Sequence, residues 1–137
     1  MALQVTGMCP LIQVFDMTAS VRFYCEGLGF EVVAASPEIE AAEGRYFHWC
    51  RLRLGPAELM LNTAYDANER PPVRDAARQA AHQDTGLYFG CDDVDAIHAA
   101  LRARGLEVSP PKDAPYGMRQ IWLRDPDGYQ LCFQRSV

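Results

Sequence analysis

Few side chains in this sequence are equipped for covalent or metal chemistry, and they are scattered. The five cysteines, Cys9, Cys25, Cys50, Cys91 and Cys132, are odd in number and never spaced C-x-x-C. Neither a zinc knuckle nor a thioredoxin-type pair is therefore present, and reduced cytosolic thiols are the default. Cys25 and Cys91 read as small buried hydrophobes. Cys132 is more interesting, because it sits mid-strand in RDPDGYQLCFQ, Arg124 to Gln134, just after a tight turn. A thiol so placed can ligate a metal, attack as a nucleophile or line a cavity. Nucleophilic attack would need a base or cation nearby to lower its pKa.

Composition narrows the choice of partner. The chain has 137 residues, 49% hydrophobic and 23% charged, which suits one compact domain with a proper core. Its net charge is −5 with no Lys/Arg cluster, so the footprint that nucleic acid or an anionic membrane requires is missing. The start, MALQVTGMCP, lacks a basic segment followed by an apolar one, and no run of roughly 18 apolar residues occurs. A cytoplasmic protein is expected, with a small molecule or a second copy of itself as partner.

The elements that must position these side chains come in two similar series. CPLIQVFD reads as a strand and MTASVRFYCEGLGF as a helix stopped by glycine, with FEVVA as a second strand. After a polar loop, YFHWCRLRL and AELMLN flank Gly55-Pro56 as a hairpin. The order then returns: TGLYFGC as a strand, DDVDAIHAALRARG as a helix, LEV as a short strand, and MRQIWLR with YQLCFQ as a hairpin around Pro126-Asp127-Gly128. Asp16 matches Asp92 or Asp93, Gly29-Phe30-Glu31-Val32 matches Gly105-Leu106-Glu107-Val108, and Glu58-Leu59-Met60-Leu61 matches Gln130-Leu131-Cys132-Phe133. A β-α-β-β-β unit is used twice, over residues 9–62 and 85–135. The linker between, residues 63–84, carries an alanine-rich stretch able to form a short helix.

The paired units, an S-x-x-F-Y helix (Ser20, Phe23, Tyr24) running into G-L-G-F, and the DPDG-Y turn together resemble the vicinal oxygen chelate superfamily of glyoxalases, bleomycin-resistance proteins and extradiol dioxygenases. The resemblance spans residues 9 to 135 and implies an α+β fold: one domain over residues 1–137, its two tandem βαβββ units forming a half-open barrel. It also implies four metal-ligand positions, which fall here on Cys9, Met60, Gly86 and Cys132, with Glu58 on the same face as Met60. Glycine offers no donor and a thioether suits Mg, Mn, Fe or Ni poorly, so no metal and no cofactor are expected. Convergence of Cys9, Met60 and Cys132 on a soft ion is the sharper alternative.

Alternation from those positions predicts the lining of a cavity. Cys9, Leu11 and Gln13 would face it from the first strand, Glu58, Met60 and Asn62 from the first hairpin, and Tyr88 from the second unit's first strand. Gln130, Cys132 and Gln134, with Trp122 across the hairpin, would complete it. Cys50 is a further candidate, and His48, if matched to Gln120, would also face inward and could pair with a thiol. His82 and His98 are expected to face solvent. Opposite faces, with Ile12, Val14, Leu59, Leu61, Leu87, Phe89, Leu131 and Phe133, should pack beneath the helices. The resemblance then implies a homodimer holding a small organic ligand through Cys9, His48, Glu58, Met60, Tyr88, Trp122 and Cys132, sequestering a toxic compound. Its rival is a lyase, isomerase or dioxygenase of the glyoxalase type, with Glu58 as the candidate catalytic base.

Overall fold

The computed structural model describes residues 1–137 and divides into two compact units, residues 1–17 with 30–70, and residues 18–29 with 71–137. The fold is α+β. In the first unit six strands form: β1 (Leu11–Val14), β2 (Glu31–Ala35), β3 (Ile39–Ala41), β4 (Gly44–Tyr46), β5 (Trp49–Leu54) and β6 (Ala57–Thr63). Four of them make a sheet in the order β1-β6-β5-β2, with β1 parallel to β6 and the other pairs antiparallel. Ile12, Val14, Leu59 and Leu61 are buried on one face of it, as alternation predicts, and Leu52, the cross-strand neighbour of Leu59, is buried with them. β3 and β4 form a separate ribbon where the sequence reads as a polar loop.

The second unit contains most of helix α1 (Met17–Arg22), which runs on as a π-helical turn over Phe23–Gly27 and stops at Gly29, φ +93°. The linker helix appears as α2 (Ala76–Ala81), capped by Asp75, whose carboxylate accepts from the amides of Ala77 and Arg78. There follow β7 (Gly86–Gly90), α3 (Val94–Ala103), β8 (Lys112–Asp113), β9 (Met118–Arg124) and β10 (Gln130–Ser136). The sheet order is β7-β10-β9-β8, with β7 parallel to β10. Each sheet thus runs first strand, last strand, hairpin partner, outer strand, so the duplication is visible in the topology. α3 packs on β9 and β10, over the buried Leu131, Phe133, Ile121 and Leu123.

One expected element is absent. Leu106-Glu107-Val108 does not form a strand, and the outer position falls to Lys112–Asp113. Pro110 and Pro111 stand between, and prolines have no N–H to give a ladder. The chain is held there by other means: the Ser109 amide donates to the Trp122 carbonyl at 2.9 Å, and the Trp122 amide donates to Ser109 Oγ at 2.8 Å.

The two sequence motifs meet in the second unit. Tyr24 Oη donates to Asp125 Oδ2 at 2.7 Å and Ser20 Oγ to Asp127 Oδ2 at 3.2 Å, all four residues being buried. Arg74 pairs with Asp127 at 3.0 Å, and the Asp127 and Tyr129 amides donate to Asp125 Oδ1. His82 is not solvent-facing as expected: its ring stacks on Tyr129 at 4.0 Å, and its Nδ1 lies 2.7 Å from the Asp127 carbonyl. His98 is likewise half-buried, its Nε2 covered and without a partner. No helix is long and apolar enough to cross a membrane.

Candidate functional site

In the second unit, Tyr88, Cys132 and Trp122 are successive cross-strand neighbours on β7, β10 and β9, and therefore share one face. The rings of Tyr88 and Trp122 meet edge to face, 5.4 Å between centroids, while Cys132 between them is fully buried. Gly86 makes the arrangement possible. A Cβ there would come within 3.0 Å of the Tyr88 ring, so the glycine leaves the space that the ring fills. One row along the same face, the Gln120 amide donates to Gln134 Oε1 at 2.9 Å and accepts from the Tyr116 hydroxyl at 2.8 Å.

Beside this face lies a cleft of about 490 Å³, floored by Trp122 and Gln120 and walled by Pro110, Pro111, Pro115 and Tyr116. Its outer wall is fixed at both ends. Besides the Ser109 bonds, the Ala114 amide donates to the Met118 carbonyl at 2.7 Å. Arg119 ties β8 to α3, bonding Asp113 at 2.9 Å and both Asp95 oxygens at 2.9 Å. Such a wall of prolines and aromatic rings is stiff and largely apolar, a surface suited to flat organic groups.

The matching face of the first unit is charged. Leu11, Met60 and Arg51 are cross-strand neighbours, as are Gln13, Asn62 and Trp49. Glu58 accepts a hydrogen bond and ion pair from Arg51 and lies 3.8 Å from Arg53 Nε. The Arg51 hydrogen bond holds the Glu58 carboxyl below its ordinary range, leaving it ionised and weakly basic. Cys9 is half-buried just ahead of β1.

Two expectations are corrected by the register of this hairpin. His48 does not face the Met60 side: its Nδ1 lies 2.7 Å from Thr63 Oγ1, and Thr63 alternates with the buried Leu61 and Leu59. Cys50 also points away, fully buried with its thiol 4.0 Å from Met17 Sδ. The cause is loop length. The first hairpin turns on two residues, Leu54 pairing with Ala57, whereas Arg124 pairs with Gln130 in the second. Matching His48 to Gln120 is therefore one residue out, and Trp49 and Arg51 take the positions that Gln120 and Trp122 hold. Counting from the Gly55-Pro56 turn finds Arg51 and Arg53 from sequence. The wall made by Pro110, Pro111 and Tyr116 gives no periodic signal.

The residues at the implied metal positions do not fit a metal ion. Gly86 has no donor, and the Tyr88 ring fills its space. Burial pushes the Cys132 thiol up to about 11, so thiolate is scarce at neutral pH and attack by Cys132 is disfavoured with it. Met60 offers only a thioether, and the Glu58 carboxylate on the same face is already engaged by Arg51. No three His, Cys, Asp or Glu side chains group closely enough to hold an ion.

A family model described as Glyoxalase/Bleomycin resistance protein/Dioxygenase superfamily matches residues 5–133. No curated protein matches the chain. Among solved structures, TnmS3, an antibiotic-binding protein from Streptomyces sp. CB03234, is 28% identical with a TM-score of 0.65, covering 98% of this chain and 100% of that one. A glyoxalase/bleomycin resistance protein from the same strain is 29% identical with a TM-score of 0.59, covering 93% and 100%. The bleomycin-binding protein from bleomycin-producing Streptomyces verticillus, complexed with copper(II)-bleomycin, shares the fold at 21% identity and a TM-score of 0.67, covering 96% and 97%.

Proposed function

The chain belongs to the glyoxalase/bleomycin resistance protein/dioxygenase superfamily, and from that premise we propose that it binds a small organic molecule and sequesters it, without a metal ion. The observation that carries this reading is the Tyr88–Trp122 ring pair closed over Cys132 beside a proline-walled cleft. Aromatic faces and fixed amides orient a flat ligand by stacking and a few hydrogen bonds, and nothing there activates a nucleophile or holds an ion. The antibiotic-binding relative at 28% identity supports a ligand of antibiotic type.

In this reading Tyr88 and Trp122 hold the ligand in the second unit, with Cys132 as packed wall. Glu58, Met60 and Cys9 belong to the first unit's face, where the paired Glu58 sets charge and does not take protons. The two sequence repeats, residues 9–62 and 85–135 joined by 63–84, belong in this reading to one domain. The working form is a cytoplasmic homodimer, in which a second copy covers sheet edges such as the two-residue β8.

Thermal denaturation and calorimetry with bleomycin and with doxorubicin, a planar polycyclic antibiotic, test the proposal. Saturable binding near one ligand per chain, with a rise in Tm that follows ligand concentration, supports it. Turnover of a hemithioacetal with added Ni(II) or Zn(II), and no ligand-dependent rise, would replace it with the glyoxalase-type enzyme.

A further inference from the structure

Among the residues lining the cleft beside Trp122, one is charged. It is Lys112, and it is the only lysine in the chain, the other twelve of the 13 basic residues being arginines. On β8 it is the cross-strand neighbour of Gln120, so it shares the face on which Gln120, Trp122 and Cys132 lie. Its ammonium has no ion-pair partner. The adjacent carboxylate, Asp113, is engaged by Arg119 at 2.9 Å, and no acidic residue lines the cleft. Gln120 bonds Tyr116 and Gln134, and a neutral amide would in any case leave the lysine's charge in place. The cleft thus presents an aromatic floor, an apolar wall and one unanswered positive charge.

We propose that this cleft takes a flat aromatic ligand bearing an anionic group, a carboxylate or an ionised phenol, with the ring system against Trp122 and the anion at Lys112. This rests on the binding reading above and names the class of ligand. The chain's net charge of −5 does not oppose it, since charges beyond about 10 Å are screened at 0.1 M salt while the lysine lies at the cleft itself. A lysine is a compact point charge on a flexible stem, able to follow an anion over a range of positions.

Matched probes separate the two levels of the proposal. Anthracene-9-carboxylate and its carboxamide are titrated by calorimetry at about 0.1 M salt, against the wild type, Lys112→Met and Lys112→Arg. The carboxylate is expected to bind roughly five-fold more tightly than the amide, the worth of one partly exposed ion pair. The ratio falls to about one in Lys112→Met and survives in Lys112→Arg. Acetylation followed by peptide mapping gives a second readout: the carboxylate slows modification of Lys112 and leaves the Met1 amine unaffected. Equal affinities in the wild type, or a ratio unchanged in Lys112→Met, overturn the anion and leave aromatic binding standing. If neither probe binds, the anionic aromatic ligand fails, and the titrations with bleomycin and doxorubicin decide the binding reading by themselves.

Discussion

The Tyr24 hydroxyl donates to Asp125 at 2.7 Å across 101 residues of sequence, with both side chains buried. Burial, outweighing that hydrogen bond, raises the Asp125 carboxyl to about 6. The folded state therefore binds this proton more tightly than the unfolded chain does. From Asp125 alone, stability rises as pH falls from about 6 to about 4, by on the order of 2–3 kcal/mol, and is lost again as pH rises through 6. Urea denaturation across that range, compared with Asp125→Asn, isolates the contribution. The variant is expected to lose this slope while keeping its link to Tyr24, since an amide can donate where a protonated carboxyl would.

Glycine substitutions divide a conformational cost from a contact cost. Gly105 (φ +82°) and Gly128 (φ +87°) have nearly the same backbone, but a Cβ on Gly105 meets nothing within 4 Å, whereas one on Gly128 lies 2.7 Å from the Gln79 carbonyl. Gly105→Ala is expected to cost about 1 kcal/mol. Gly128→Ala should cost at least about 2 kcal/mol, because α2's backbone must also move. Equal losses in denaturant midpoints would show that the DPDG turn does not press on α2.

Much of this was legible in the sequence, and for identifiable reasons. Alternation places Ile12, Val14, Leu59, Leu61, Leu131 and Phe133 on buried faces because each strand covers a core on one side only. Trp122 is found by counting back across a turn whose residues are unmistakable. His48 and Cys50 are misassigned because a two-residue turn shifts parity by one, and a one-residue shift moves a strand's side chains to the other face. The outer wall over 109–117 escapes, since prolines and short bridges carry no period. The union of S-x-x-F-Y with DPDG is invisible for a different cause: it depends on which sheet helix α1 joins.

Cysteine reactivity tests whether Cys132 is wall or nucleophile. Cys9, Cys25 and Cys91 are half-buried, while Cys50 and Cys132 are fully buried. With iodoacetamide at pH 8, Cys132 is expected to react only at the rate of protein opening, after the half-buried thiols. Stoichiometric modification of Cys132 in the native protein within minutes would contradict its placement under the two rings.

Glu58 should titrate as an ion-paired carboxylate. Its pKa lies below the ordinary glutamate value because of the Arg51 hydrogen bond, so its contribution to stability is present above the unfolded pKa and fades as pH falls through the folded one. Carbon-13 NMR of the side-chain carboxyl is expected to show that depressed midpoint, moving upward in Arg51→Met. A midpoint above the ordinary range would restore Glu58 as a candidate base.

Indole N–H resonances offer the most direct measurement, because the chain has two tryptophans, Trp49 and Trp122. During titration with a planar aromatic ligand, the Trp122 indole signal should shift in proportion to occupancy, and Trp122→Ala should lower affinity at least roughly ten-fold, the loss of one stacking platform. A ligand that binds stoichiometrically while the Trp122 resonance stays in place would contradict the site.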